Sequence, residues 1–304
     1  MKHIVPAILI ALTAMPATAF ERMMRSDCQV AFEKLADIMQ PDDVNTAVMS
    51  RSIRVSPQGW CEMRGGTAGL EDAQFDTLEW RAEGITRWTR DGIPPLALEV
   101  RISGMDPDEM QGGIDTKRPN IDFEMLLRQL PDAGMIVIEH ATMNNGAGDS
   151  LTVSGVFERV FLSSPSMMQV SMGSAAFKAG LVSMTLEGTH ENPFGFGIDV
   201  EMQGVPQAQR DAAFDLVSRL PDGVLDGASR AELTAYAGDL PKPVGELEVS
   251  VGSERGLGLM QVGMWAYNSF EAVISDEVDG NELDILLDGI TITADWSPDA
   301  QLAD

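Results

Sequence analysis

The chain has 304 residues, of which 44% are hydrophobic and 22% charged, so it is long and apolar enough to bury a large core and unlike a disordered protein. Its 47 acidic side chains against 21 basic ones give a formal net charge of −26. A surface of that sign repels phosphate backbones, which argues against nucleic acid as a partner.

Lys2 and His3 make a short basic start, Ile4 to Met15 form an apolar run, and Ala17-Thr18-Ala19 supplies small residues at a cleavage point. These three parts predict a cleavable secretory signal over residues 1–19, with Phe20 as the first mature residue and the periplasm as destination. Phe20 stands where a lipoprotein needs Cys. The apolar run is too short to cross a core of ~30 Å, and no later stretch reaches the ~20 apolar residues of a spanning helix, so no integral membrane segment is expected after cleavage. Losing Lys2 and no acid moves the charge to −27.

Cys28 and Cys61 are the only cysteines. An even pair in an exported chain predicts a structural disulfide, because no Cys-x-x-Cys redox spacing is present.

Met24, Cys28, Ala31, Phe32, Leu35 and Met39 recur at steps of three and four, predicting an amphipathic helix that Pro41 ends. The period then changes to two. Leu78, Trp80 and Ala82 alternate with Thr77, Glu79 and Arg81, and Leu96, Leu98, Val100 and Ile102 with Ala97, Glu99 and Arg101, as on half-buried strands. A second helix is expected from Asn120 to Leu130, with Asn120 as cap and Met125 and Leu126 inward. Strands follow at 135–141, 151–158, 167–173, 180–187 and 196–203, with turns at Asn144-Asn145-Gly146 and near Ala179-Gly180. Pro206 opens a helix reaching Leu220, and another covers Ala228 to Ala237. Leu247, Val249 and Val251 then alternate with Glu246, Glu248 and Ser250, and further strands are expected near 257–265, 270–275, 282–287 and 289–296.

Helix followed by meander thus occurs three times, and Leu220-Pro221-Asp222-Gly223 echoes Leu130-Pro131-Asp132-Ala133 at an offset of 90 residues. The expected fold is mainly β with a few helices (α+β). Helix-plus-antiparallel-meander units, at 20–115, 116–204 and 205–304, would join into one long curved sheet or open trough.

Candidate chemistry is sparse. Glu139 and His140 are adjacent on a strand and so point to opposite faces, and His190 sits in a turn before Asn192-Pro193, so no metal site is expected from them. Gly148-Asp149-Ser150-Leu151 matches the nucleophile tetrapeptide of a lipase and esterase family, but the late Asp-x-x-His that supplies its base is missing. A turn entering a strand is the simpler reading. Asp276, Glu277, Asp279, Asn281, Glu282 and Asp284 are rich in oxygen around Gly280, but Val278 breaks the alternation of a calcium loop, and an Asp-Gly hairpin turn explains the pair at 279–280. Asp106, Asp108 and Glu109 form a similar, weaker cluster. No phosphate loop or dinucleotide fingerprint is present, so neither enzymatic activity nor a cofactor or metal is expected.

Of 19 methionines, all but Met1 and Met15 follow the cleavage point, and such flexible side chains suit both cores and surfaces that receive varied apolar partners. Segments such as Ser150 to Phe157, Leu181 to Gly188 and Gly245 to Gly252 resemble the repeats of AsmA-like and TamB-like envelope proteins. That resemblance covers roughly residues 120–296. It implies sheets curled into a trough with an apolar inside, and roles in lipid handling and outer-membrane homeostasis.

The expected function is therefore that of a soluble periplasmic, non-catalytic protein that binds a lipid-like apolar ligand or assists envelope homeostasis. Val153, Phe157, Met172, Leu181, Met184, Val249 and Met260 are its candidate lining residues. The rival is an acidic scaffold with a closed β core docking a basic envelope partner.

Overall fold

The computed structural model of the chain describes residues 20–39, 50–68, 73–106, 120–188, 206–260 and 287–299. Among them ten strands form one antiparallel sheet in which spatial order equals chain order. They are β1 (Arg54–Val55), β2 (Cys61–Ala68), β3 (Ala73–Glu83), β4 (Ala97–Met105), β5 (Ile121–Leu130), β6 (Met135–Asn145), β7 (Ser150–Glu158), β8 (Ala176–Glu187), β9 (Val244–Gly258) and β10 (Ile290–Pro298). The helices among the described residues include α1 (Arg25–Met39), α2 (Ile85–Asp91), α3 (Pro165–Ser174), α4 (Pro206–Arg219) and α5 (Gly227–Asp239). The expected mainly β architecture with a few helices holds, and the sheet is open, since β1 pairs with β2, β10 with β9, and neither with the other.

Directly opposed residues in an antiparallel ladder share a face, so the register sorts every side chain. One face carries Cys61 and Met63 of β2, Leu78 and Trp80 of β3, Val100 and Ile102 of β4, and Phe123 and Met125 of β5, in consecutive register. The other face carries Glu62, Glu79, Arg101 and Glu124 in the same order. Two-residue alternation thus separates an apolar from a charged side.

On the charged face, Glu99 is 5% exposed between two arginines: Arg81 Nε donates to its Oε2 at 2.6 Å and Arg101 Nη2 to its Oε1 at 3.0 Å. Both guanidinia lie 4.4 Å from the Trp60 ring, and Arg81 is also 4.3 Å from the ring of Phe20. Arg101 continues to Glu124 at 3.0 Å, and Arg128 bridges Glu83 and Glu139.

Helices cover the apolar face at its two ends. At the first, Cys28, Ala31 and Phe32 of α1 and Ile85 and Trp88 of α2 pack with Ile53, Met63 and Trp80. The predicted disulfide is present: Cys28 and Cys61 are bonded, with Cα atoms 5.6 Å apart, and it staples α1 to β2. At the other end α5 lies over β10. Tyr236 meets Trp296 edge-on at 5.1 Å, and Trp296 Nε1 donates to Asp239 Oδ2 at 2.9 Å. Burial pushes the Tyr236 phenol up. Leu225 is fully buried and bridges Ile292, protecting the outer edge of β10. Asp226 caps α5, and the backbone N–H of Ser229 holds its carboxyl below the usual carboxylate range. A pKa lowered by folding stabilises above the unfolded value near ~4 and stops doing so as acid protonates the group.

Two expected elements are exchanged. Where a helix from Asn120 to Leu130 is expected, Ile121–Leu130 form the strand β5, because Ile121, Phe123, Met125 and Leu127 reach one face and pair on both sides. Residues 167–173 lie in the helix α3 rather than a strand: Ser164 Oγ accepts the Met167 N–H at 3.3 Å and Pro165 occupies the first turn. The helix expected at the head of a middle unit is thus a strand, and the segments Leu130 to Ala133 and Leu220 to Gly223 end different elements, β5 and α4. Ala179-Gly180 lies inside β8, beside a register shift, rather than in a turn. The signal segment, the unit boundaries near 115 and 204, the strand at 196–203, His190 and the acidic cluster at 276–284 lie outside the described residues, as do Asp108 and Glu109 and the strands near 270–275 and 282–287 except for Leu287.

Candidate functional site

Between the two helical covers the apolar face continues across β5 to β8, and among the described residues no helix packs extensively against these strands. Its side chains form rows across the sheet. One row is Met143–Leu151–Met184–Leu247 and the next is Ala141–Val153–Val182–Val249. Beyond these come Ile138–Gly155–Gly180–Val251 and then Ile136–Phe157–Phe177. From Phe123 to Met184 these larger side chains are half-buried, shielded by their neighbours yet not enclosed. Contiguous apolar area of this kind, rimmed by polar residues, is a feature that binding sites commonly have.

The paired glycines at 155 and 180 shape this floor. A Cβ on Gly180 would stand 3.0 Å from Phe177 Cζ, so the ring occupies the space a side chain would take. Phe157 meets Phe177 edge-on at 5.8 Å. The two rings make an aromatic step at the end of the valine row.

Of the seven residues expected to line an apolar site, Val153, Phe157, Met184 and Val249 share this face. The other three do not join it. Leu181 pairs with Ser154 and Ser250 on the opposite, polar face. Met172 is on α3 and 75% exposed, and Met260 follows β9 and is 53% exposed. Sequence reasoning missed Phe123, Met125, Ile136, Ile138, Phe177 and Val182; alternation from Ile121 to Arg128 was the signal for the first two.

The polar face carries a cleft of about 230 Å³ lined among others by Thr77, Glu79, Arg101, Asp122, Glu124 and Asn144. Arg101 is committed to Glu99 and Glu124, and Asp122 Oδ1 accepts the Gly104 N–H at 3.0 Å, so the groups there are largely satisfied within the sheet. His140 Nε2 is 3.8 Å from Glu124 Oε1 on the same face. No group of three or more His, Cys, Asp or Glu side chains among the described residues is arranged to hold a metal ion.

The Gly-Asp-Ser-Leu segment is a hairpin corner. Asp149 is 2% exposed; its Oδ1 accepts the Glu187 N–H at 2.8 Å and its Oδ2 accepts Asn145 Nδ2 at 2.7 Å. Asn145 Oδ1 in turn accepts the N–H groups of Ala147 and Asp149, each at 3.0 Å. Ser150 pairs with Asn144, which places His140 four residues further along β6, about 13 Å at the ~3.3 Å rise of a strand. Asp149 therefore ties the β6–β7 turn to β8. Asp149→Ala is expected to destabilise the fold by about 2 kcal/mol, because it strands the buried Asn145 amide donor and the part-buried Glu187 N–H; thermal denaturation reads this, and an unchanged midpoint would contradict the structural role.

The chain matches no family model, no curated protein and no solved structure. No helix among the described residues is long and apolar enough to cross a membrane.

Proposed function

We propose that this is a non-catalytic binding protein of the periplasm that holds the hydrocarbon part of a lipid-like ligand against β5–β8. The observation that carries the reading is the half-open apolar grid between two helical covers, with charged residues confined to the reverse side. The disulfide is in keeping with an oxidising compartment. Lipid handling is also what the resemblance to AsmA-like envelope proteins implies, here as a carrier or accessory factor.

Magnitudes fit such a role. Covering roughly 300 Å² of hydrocarbon at ~25 cal/mol per Å² contributes about 7 kcal/mol before ordering costs, so capture is reversible. Native mass spectrometry of protein purified from the envelope tests the reading: an adduct of acyl-lipid mass is expected, and consistently bare protein would count against it. Val182→Asp, which puts a charge in the centre of the grid, is expected to remove the adduct. Ser183→Asp, one residue away on the polar face, should leave it in place. Equal loss or equal retention in the two variants would refute the facial assignment.

A further inference from the structure

At one corner of the apolar face two buried polar groups have no protein partner among the described residues. Gln129 of β5 is 3% exposed, and neither Nε2 nor Oε1 of its amide meets a hydrogen-bonding group of the protein among the described residues. Arg87 of α2 has a buried Nη1 in the same condition. Both side chains belong to residues that flank Leu96. The Gln129 N–H donates to the Leu96 carbonyl at 2.7 Å, while Arg87 Cδ and Leu96 Cγ lie 3.4 and 3.7 Å from the place a Cβ on Gly84 would take.

Leaving such groups unsatisfied costs about 1–3 kcal/mol each, more for a charged one, so neither is accounted for by packing. Ligand sites combine an apolar lining with a few placed polar groups that fix orientation. Gln129 stands at the head of the outermost row of the grid, followed by Ile136, Phe157 and Phe177. Arg87 comes from the helical layer on the same side, because its neighbours Ile85 and Trp88 pack into the apolar core there.

We infer that Arg87 and Gln129 form the polar end of the site and bind the carboxyl head of a single-chain amphiphile whose tail crosses β6, β7 and β8 along Ile136, Phe157 and Phe177. The inference rests on the apolar-ligand reading above and adds the ligand's head chemistry. A guanidinium N–H and an amide N–H together answer the two oxygens of a carboxylate, and the cation repels an amine head. When the head carries its proton, Gln129 Oε1 gains a donor as well. From β5 to β8 the row crosses three inter-strand steps of ~4.8 Å, roughly 14 Å, which a dodecyl chain covers.

Isothermal titration calorimetry of the full mature chain with dodecanoate and with dodecanol separates head from tail. The wild type is expected to bind dodecanoate at least tenfold more tightly than dodecanol, and Gln129→Leu and Arg87→Met are each expected to erase that preference. Gln129→Leu should also raise the melting temperature of the empty protein, since it removes an unsatisfied buried amide, and this confirms that the variant folds. Equal binding of the two probes by the wild type, or a preference surviving in either variant, overturns the head-group site and leaves the apolar face standing. Failure of the wild type to bind dodecanol overturns the apolar reading itself, and this inference with it.

Discussion

Trp80→Ala is expected to destabilise the protein by about 3–5 kcal/mol, the range for deleting a large aromatic side chain from a packed core. Trp80 is 6% exposed and stands in register between Cys61 and Val100, with its ring centroid 6.1 Å from that of Phe32 on α1. Removing it opens a void where helix, disulfide and sheet meet. The neighbouring Glu79 points to the charged face, so Glu79→Ala should change stability by no more than about 0.5 kcal/mol. Urea denaturation of the two variants checks the contrast, and equal losses would mean that the facial assignment of β3 is wrong.

Replacing Cys28 and Cys61 together by Ser is expected to cost about 2–5 kcal/mol. The cross-link joins residues 33 apart and both cysteines are fully buried, so the variant loses the chain constraint and also places two hydroxyls in an apolar core. The loss should be local in its first effects. Amide exchange is expected to rise along α1, which the bond staples to β2, while α5, anchored by Tyr236 and Trp296, keeps its protection. Reduction of the wild type should reproduce the shift. Uniformly raised exchange over both helices would instead mean that the two covered ends unfold as one unit.

Much of the fold could be read from period-two alternation. The segments around Leu78 to Ala82, Leu96 to Ile102 and Leu247 to Val251 are strands because their charged and apolar residues alternate cleanly, and the disulfide is expected from an even pair of cysteines behind a signal-like start. The strand β5 was misread because Glu124, Met125, Leu126, Leu127, Arg128 and Gln129 are all good helix formers, and pairing on both edges overrides such local preference. The helix α3 departs in the opposite sense: its run of Met and Val resembles a buried strand, whereas Ser164 and Pro165 at its start are helix-opening residues that outweigh that pattern.

The candidate site was legible only in part. Val153, Phe157, Met184 and Val249 could be drawn from alternation within single strands, but whether odd or even residues face inward depends on bulges. The register shift between Phe177 and Ala179 brings Phe177 onto the face of Phe157, and no local pattern reveals it. Leu181 is a different case: it lies three residues from Met184 on an unbroken stretch of β8, so alternation alone places the two on opposite faces, with serines beside Leu181 on both adjoining strands. The unpartnered groups of Arg87 and Gln129 are properties of burial, and no residue count along the chain exposes them.

The central claim is that hydrocarbon settles on the apolar side of β5–β8, and photo-crosslinking with a dodecanoyl probe carrying a diazirine on its chain tests it most directly. Peptide mapping is expected to find adducts on residues such as Ile136, Val153, Phe157, Phe177 and Val182. Adducts gathered instead on the exposed side of α3, or on the serine- and glutamate-bearing reverse of the sheet, would contradict it.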